Sequence, residues 1–202
     1  AAYTPPPALA RLLDSGEPPV FIGFGSVPCM PSGDDFAWLS EMVGAAVRQS
    51  RVRAVIAPGW GKLRWPEATE GVPDPDKVVV IDGVPHDWLF PRLGAVVHHC
   101  GVGTAMAALA AGTPSVPVPF LQDEPFWAWR LHDLGVAPPP IDPVLLSAPE
   151  LAAAMRAALD DPEIRSRARA LGQAMQQEDG LATSIRLVEE ALDMWEPSDV
   201  AA

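Results

Sequence analysis

A chain of 202 residues has room for one generous domain and not for two ordinary ones at roughly 150 residues each. With 49% apolar and 20% charged residues it is no disordered chain, and 24 Pro with 16 Gly fall short of low complexity. A net charge of −12, with Lys62 and Lys77 the only lysines, disfavours a broad footprint for nucleic acid or an anionic membrane and leaves small anions to local dipoles. Cys29 and Cys100 lie far apart without metal-ligand spacing, so neither a disulfide scaffold nor a zinc site is expected. The first residues show no basic-then-apolar leader, and no run of about 18 apolar residues occurs, so the expectation is a cytoplasmic protein without a transmembrane segment.

In chain order, Tyr3-Thr4-Pro5-Pro6-Pro7 reads as a stiff polyproline-type segment of the kind that joins domains. Val20 to Phe24 is a short apolar run ending at Gly25-Ser26, which predicts a buried strand feeding a turn. Asp34-Asp35 open a helical pattern to about Gln49, with Phe36, Leu39, Val43 and Val47 on one face. Val52 to Ala57, Lys77 to Ile81, Ala95 to His98 and Ser115 to Val118 repeat the strand signal, each followed by Gly or Pro. Beyond Ser147 only helices are predicted, over 148–159, 162–177 and 181–195, with Pro149 and Pro162 in first turns. Strands alternating with helices imply an α/β fold with a parallel sheet covered on both faces. Ligands of such sheets sit beyond the carboxyl ends of the strands.

Two of those loops carry chemistry. In His98-His99-Cys100-Gly101-Val102-Gly103-Thr104, the glycines allow close backbone approach and Thr104 lies in a first helical turn, where free N–H groups attract phosphate. A histidine at the strand exit adds a charge-assisted hydrogen bond to the same oxygens. Spacing alone leaves a plain tight turn and a structural histidine equally open. No Gly-Lys-Ser/Thr loop exists, and Met106 stands where a dinucleotide fingerprint needs its third glycine, which disfavours P-loop and nicotinamide chemistry. The second loop, Pro119 to Trp127, carries Asp123-Glu124, a pair that either complements a helix dipole or accepts hydrogen bonds from sugar hydroxyls.

Five blocks together resemble a known family: Phe24-Gly25-Ser26; Pro58-Gly59-Trp60-Gly61; Val84 to Pro91; His98 to Thr104; and Pro119-Phe120-x-x-Asp123-Glu124-Pro125-Phe126-Trp127. Their order and spacing are similar to the C-terminal half of sterol 3-beta-glucosyltransferase-like enzymes, within the GT-B glycosyltransferases that use nucleotide-activated sugars. The resemblance runs from about Pro5 to Asp193. It implies a Rossmann-like donor-binding domain over 17–195, preceded by an interdomain linker and lead-in at 1–16 and followed by a tail at 196–202.

Carried over by residue, the resemblance implies that Gly25, Ser26, His99, Gly101, Gly103 and Thr104 hold the diphosphate. Gly83, Val84 and Pro85 hold the base, with Trp60 either lining the base pocket or packing under a loop. Asp123 and Glu124 bind the hexose. No cofactor or metal is implied, the donor being a UDP-sugar or a dTDP-sugar. No catalytic residue is expected in this chain, because the family's base is a histidine of the N-terminal half, which also binds the sterol, lipid or other hydrophobic acceptor. Two other readings stay open: a donor subunit or non-catalytic binding module that needs a partner, and, less well matched, a nucleotide-sugar epimerase. Three positions depart from the family pattern: Cys100 where Gly is common, Glu124 where Gln is usual, and Ala107 where many relatives carry an acid for the ribose hydroxyls.

Overall fold

The computed structural model describes residues 3–25, 37–59, 62–67 and 73–194. Among the described residues, five strands form one wholly parallel sheet: β1 (Val20–Gly23), β2 (Ala54–Ile56), β3 (Val78–Val80), β4 (Ala95–His98) and β5 (Ser115–Pro117), in the spatial order β3-β2-β1-β4-β5. Each strand is a short apolar run because both faces are covered, and β1, β2, β4 and β5 are buried at every residue.

The helices are α1 (Pro7–Asp14), α2 (Ala37–Ser50), the single turn α3 (His86–Leu89), α4 (Val102–Ala110), α5 (Glu124–Asp133), α6 (Ala148–Asp160), α7 (Pro162–Met175) and α8 (Gly180–Met194). One face of the sheet, with Ile22, Ile56, Val97 and Val116, packs on α2 and α6 through Leu39, Val43, Leu151 and Met155. The other, with Phe21, Val55, Val79 and Val96, packs on Leu9, Leu12, Leu89 and Phe90. A third cluster joins α4 to α5 and α7 through Ala105, Leu109, Leu131 and Ala168.

The strands and the three C-terminal helices fall within a few residues of their predicted spans. Asp34 to Phe36 and the tail at 196–202 lie outside the described residues. The lead-in carries a helix of its own. Pro6 has the polyproline-type φ of −56° and ψ of 147°, but Pro7 then occupies the first turn of a helix. That helix buries Leu9 and Leu12 completely against the sheet, so α1 is part of the core.

Candidate functional site

The connections change direction between β1 and β4, which lie side by side, so the loops leaving these two strands face each other at the carboxyl edge. The chain leaves β1 through Gly25 at φ 61° and β4 through Cys100 at φ 70°. His99 stands between them. A Cβ on Gly25 would lie 2.7 Å from His99 Cε1, and one on Gly101 would overlap His99 Nε2, so glycine on both sides leaves the imidazole its slot. Gly59, leaving β2 at φ 59°, backs onto the Gly25 carbonyl too closely for any side chain.

His99 is half-buried, and its pKa is lowered by burial, with the charge of Glu124 acting in the opposite sense. The ring is therefore neutral near pH 7. Its Nδ1 is buried without a hydrogen-bond partner, while Nε2 is the ring nitrogen nearest Gly101 and the start of α4. Gly101 caps that helix with no side-chain bond of its own, and its carbonyl accepts the N–H groups of Thr104 and Ala105. The ring of His99 thus lies against the start of α4, whose first turn has no side-chain cap.

His98 points the other way. It is fully buried, its Nδ1 accepts the Cys100 N–H at 3.1 Å, and its pKa is driven down to about 3 by burial and then by His99 and His86. The Cys100 thiol is buried as well and pushed up to about 12. Neither group is a nucleophile or base near neutral pH.

A cleft of about 180 Å³ opens beside Gly25, which His99 abuts, and is lined in part by Gly59, Gly83, Val84, His86 and Thr104; His99, Gly101 and Gly103 do not line it. Four of the expected ligand residues, Gly25, Gly83, Val84 and Thr104, are thereby brought together from three loops. Neither Gly83 nor Gly103 has an atom within 4 Å of where a Cβ would point, so packing within the described chain does not require glycine at either. Pro85 instead caps α3, its carbonyl accepting the N–H groups of Trp88 and Leu89. Ser26 and Trp60 lie outside the described residues.

Sequence reasoning passed over His86, which stacks on Phe90 at 4.3 Å, meets Phe21 edge-on and lines the cleft. Its place directly after Val84-Pro85, in a loop on the ligand edge, was the available signal. Burial lowers its pKa, with Asp87 acting the other way.

Asp123 and Glu124 diverge. Glu124 is buried, and its Oε2 accepts the N–H groups of Phe120 at 2.7 Å and Leu121 at 2.8 Å. One oxygen of Glu124 is thereby committed to holding its own turn, where Gln122 sits at φ 54°. Asp123 is exposed, with Oδ2 accepting from Trp127 Nε1 at 2.9 Å. Among the described residues no three potential metal ligands gather.

A wider cleft of about 620 Å³ lies at the opposite, amino end of the strands, near Pro18, Gly94 and Pro114. Of its arginines, Arg156 pairs with Asp160 and Arg92 lies over the Trp88 ring, so its charge is partly spent internally. It is remote from the glycine turns, and volume alone gives it no chemistry.

The sheet order and the paired glycine turns define the C-terminal half of a GT-B fold. The chain belongs to the family described as erythromycin biosynthesis protein CIII-like, C-terminal domain, whose model matches residues 66–200. It is 40% identical over 185 residues to the sterol 3-beta-glucosyltransferase UGT80A2 of Arabidopsis thaliana, covering 91% of this chain and 27% of that protein. It is 36% identical over 188 residues to the O-mycaminosyltylonolide 6-deoxyallosyltransferase of Streptomyces fradiae, covering 93% of this chain and 42% of that one. Phytolacca americana UGT2, solved with UDP-2fluoro-glucose and pterostilbene, shares the fold at a TM-score of 0.73 and 18% identity, over 93% of this chain and 44% of that one. The glycotransferase of kitacinnamycin does so at 0.68 and 22%, over 94% and 45%. The chain therefore spans less than half of each of these proteins. No helix among the described residues is long and apolar enough to cross a membrane.

Proposed function

We propose that the chain is the donor-binding domain of an inverting glycosyltransferase that moves a hexose from a UDP-sugar, or a dTDP-sugar, to a hydroxyl of a hydrophobic acceptor. The observation that carries this reading is the neutral His99 ring set against the uncapped first turn of α4, with Gly83 and Gly103 as glycines that packing does not explain. The glycosyl transfer named for its relatives supports it. The base lies over Gly83 and Val84, with His86 at the cleft wall, and the diphosphate lies against Gly25, Gly101, Gly103, Thr104 and His99.

In the reaction, an acceptor oxygen attacks the anomeric carbon as the bond to the diphosphate oxygen breaks. Negative charge grows on the leaving diphosphate, and fixed N–H donors from α4 and His99 meet it without reorganising. That step is proposed to proceed without a metal, because the N–H dipoles and hydrogen bonds stabilise the developing charge. Asp123 accepts from hexose hydroxyls, while Glu124 keeps the Phe120–Leu121 turn in place beneath it. The base that takes the acceptor proton belongs to the N-terminal half of such enzymes, together with the acceptor pocket. Joined to an N-terminal GT-B half, the chain is expected to transfer glucose from UDP-glucose, and alone it is expected only to bind donor. Robust turnover by the 202-residue chain alone would overturn this division of labour.

A further inference from the structure

The mechanism leaves the buried imidazole of His98 without a task. His98 is the last residue of β4, in register with Gly23 of β1 and Pro117 of β5, and none of it is exposed. Strand alternation separates it from His99, which faces the site. Its Nδ1 accepts the N–H of Cys100, two residues on, and Cys100 is a non-glycine residue at φ 70°. That conformation is disfavoured for a side chain with a Cβ, so something must hold it. It also decides where the site points: one residue before it is His99, wedged against Gly25, and one residue after it Gly101 opens α4.

We propose that His98 is a positioning residue for the diphosphate site: by accepting the Cys100 N–H it fixes the left-handed turn that seats His99 and aims the first amides of α4. The ligand-facing half of this statement rests on the functional reading above. The same bond sets the tautomer. A ring that accepts at Nδ1 carries its proton on Nε2, and that nitrogen is enclosed with no partner in the described chain. A merely space-filling histidine would have no preference for Nδ1 as acceptor and would be replaceable by any ring.

Three variants separate the two roles. His98→Phe keeps a ring and removes the acceptor. His98→Asn places a side-chain oxygen near the position of Nδ1 and keeps the acceptor with less bulk. Cys100→Gly, combined with His98→Phe, supplies a residue that adopts positive φ unaided. UDP and uridine are titrated calorimetrically against each, and backbone amide exchange is followed at Cys100. The expected result is that His98→Phe weakens UDP at least tenfold and uridine less than threefold, with faster exchange at Cys100. His98→Asn stays within threefold of the wild type for UDP, and Cys100→Gly recovers most of the loss in the double variant. Equal losses for UDP and uridine, or a His98→Phe protein that binds UDP as the wild type does, would overturn the proposal.

A readout on the unaltered chain needs no variant to fold. Imidazole ¹⁵N spectra should show His98 with Nδ1 bare and Nε2 protonated, and a protonated Nδ1 would overturn the proposal outright. Should the wild type bind no UDP, the functional reading fails, while the tautomer and the exchange at Cys100 still decide whether His98 holds the turn.

Discussion

Gly25 and His99 occupy each other's space: a single methyl on Gly25 would come within 2.7 Å of the His99 ring, although 74 residues separate the two in sequence. The contact ties the β1 and β4 exits into one structure. A change in either loop is therefore felt at the site, and the glycines and histidine function as a unit.

Gly101→Ala should behave as a disguised His99 variant. Gly101 has φ −54°, so alanine meets no backbone strain, yet its Cβ overlaps the ring. Displacing His99 should lower UDP affinity by about 1.5–3 kcal/mol, the range for a hydrogen bond to a charged group, with uridine affected little. Calorimetry with the two ligands checks it.

Gly103→Ala makes the opposite contrast. Nothing in the described chain lies near its Cβ, and alanine in place of glycine in a helix contributes up to about 1 kcal/mol of stability. Thermal unfolding should be unchanged or shifted upward while UDP affinity falls, since the added methyl would enter the proposed phosphate subsite. A variant both stable and fully able to bind would place the diphosphate elsewhere.

At the Pro119–Trp127 turn, Glu124→Ala strands two amides and should destabilise the fold by about 2 kcal/mol, whereas Glu124→Gln keeps an acceptor and should lose less. Asp123→Ala should cost under about 1 kcal/mol in stability, being exposed, but should lower the affinity for UDP-glucose relative to UDP. Melting curves and the ratio of the two affinities separate the roles.

Acid should unfold the protein early. The His98 pKa lies near 3 in the fold against 6.5 unfolded, lowered by burial and by the nearby His99 and His86. A depressed folded value means its stabilising contribution is complete above pH 6.5 and is lost as pH falls from there toward 3. At about 1.36 kcal/mol per unit, the loss reaches a few kcal/mol. His86 and His99 shift in the same direction but lie nearer solvent and add less. Chemical denaturation at pH 7 and pH 4.5 should show the drop in wild type, and it should shrink in His98→Asn.

Much of this was readable from the chain because burial on both faces leaves parallel strands as bare apolar runs, as in Val20-Phe21-Ile22 and Ala95-Val96-Val97. Helix α1 was obscured by Pro5-Pro6-Pro7, although Leu9 and Leu12 already stand three residues apart on one helical face. The glycine signals at Gly25 and Gly101 marked the site, but their common reason, a histidine wedged between them, depends on two loops meeting in space. Glu124 was legible as a helix-start acid and not as a clamp, since its partners are backbone amides whose direction follows from the loop's path. The cysteine at position 100 reads as a tolerated departure only until its φ of 70° shows why glycine suits that place.

The measurement that bears most directly on the central claim is calorimetric binding of UDP and uridine to wild type and His99→Ala, in EDTA. The account predicts that wild type binds UDP without a divalent cation, and that His99→Ala weakens UDP by about 1.5–3 kcal/mol while leaving uridine nearly unchanged. Binding that disappears with EDTA, or equal losses for both ligands in His99→Ala, would contradict it.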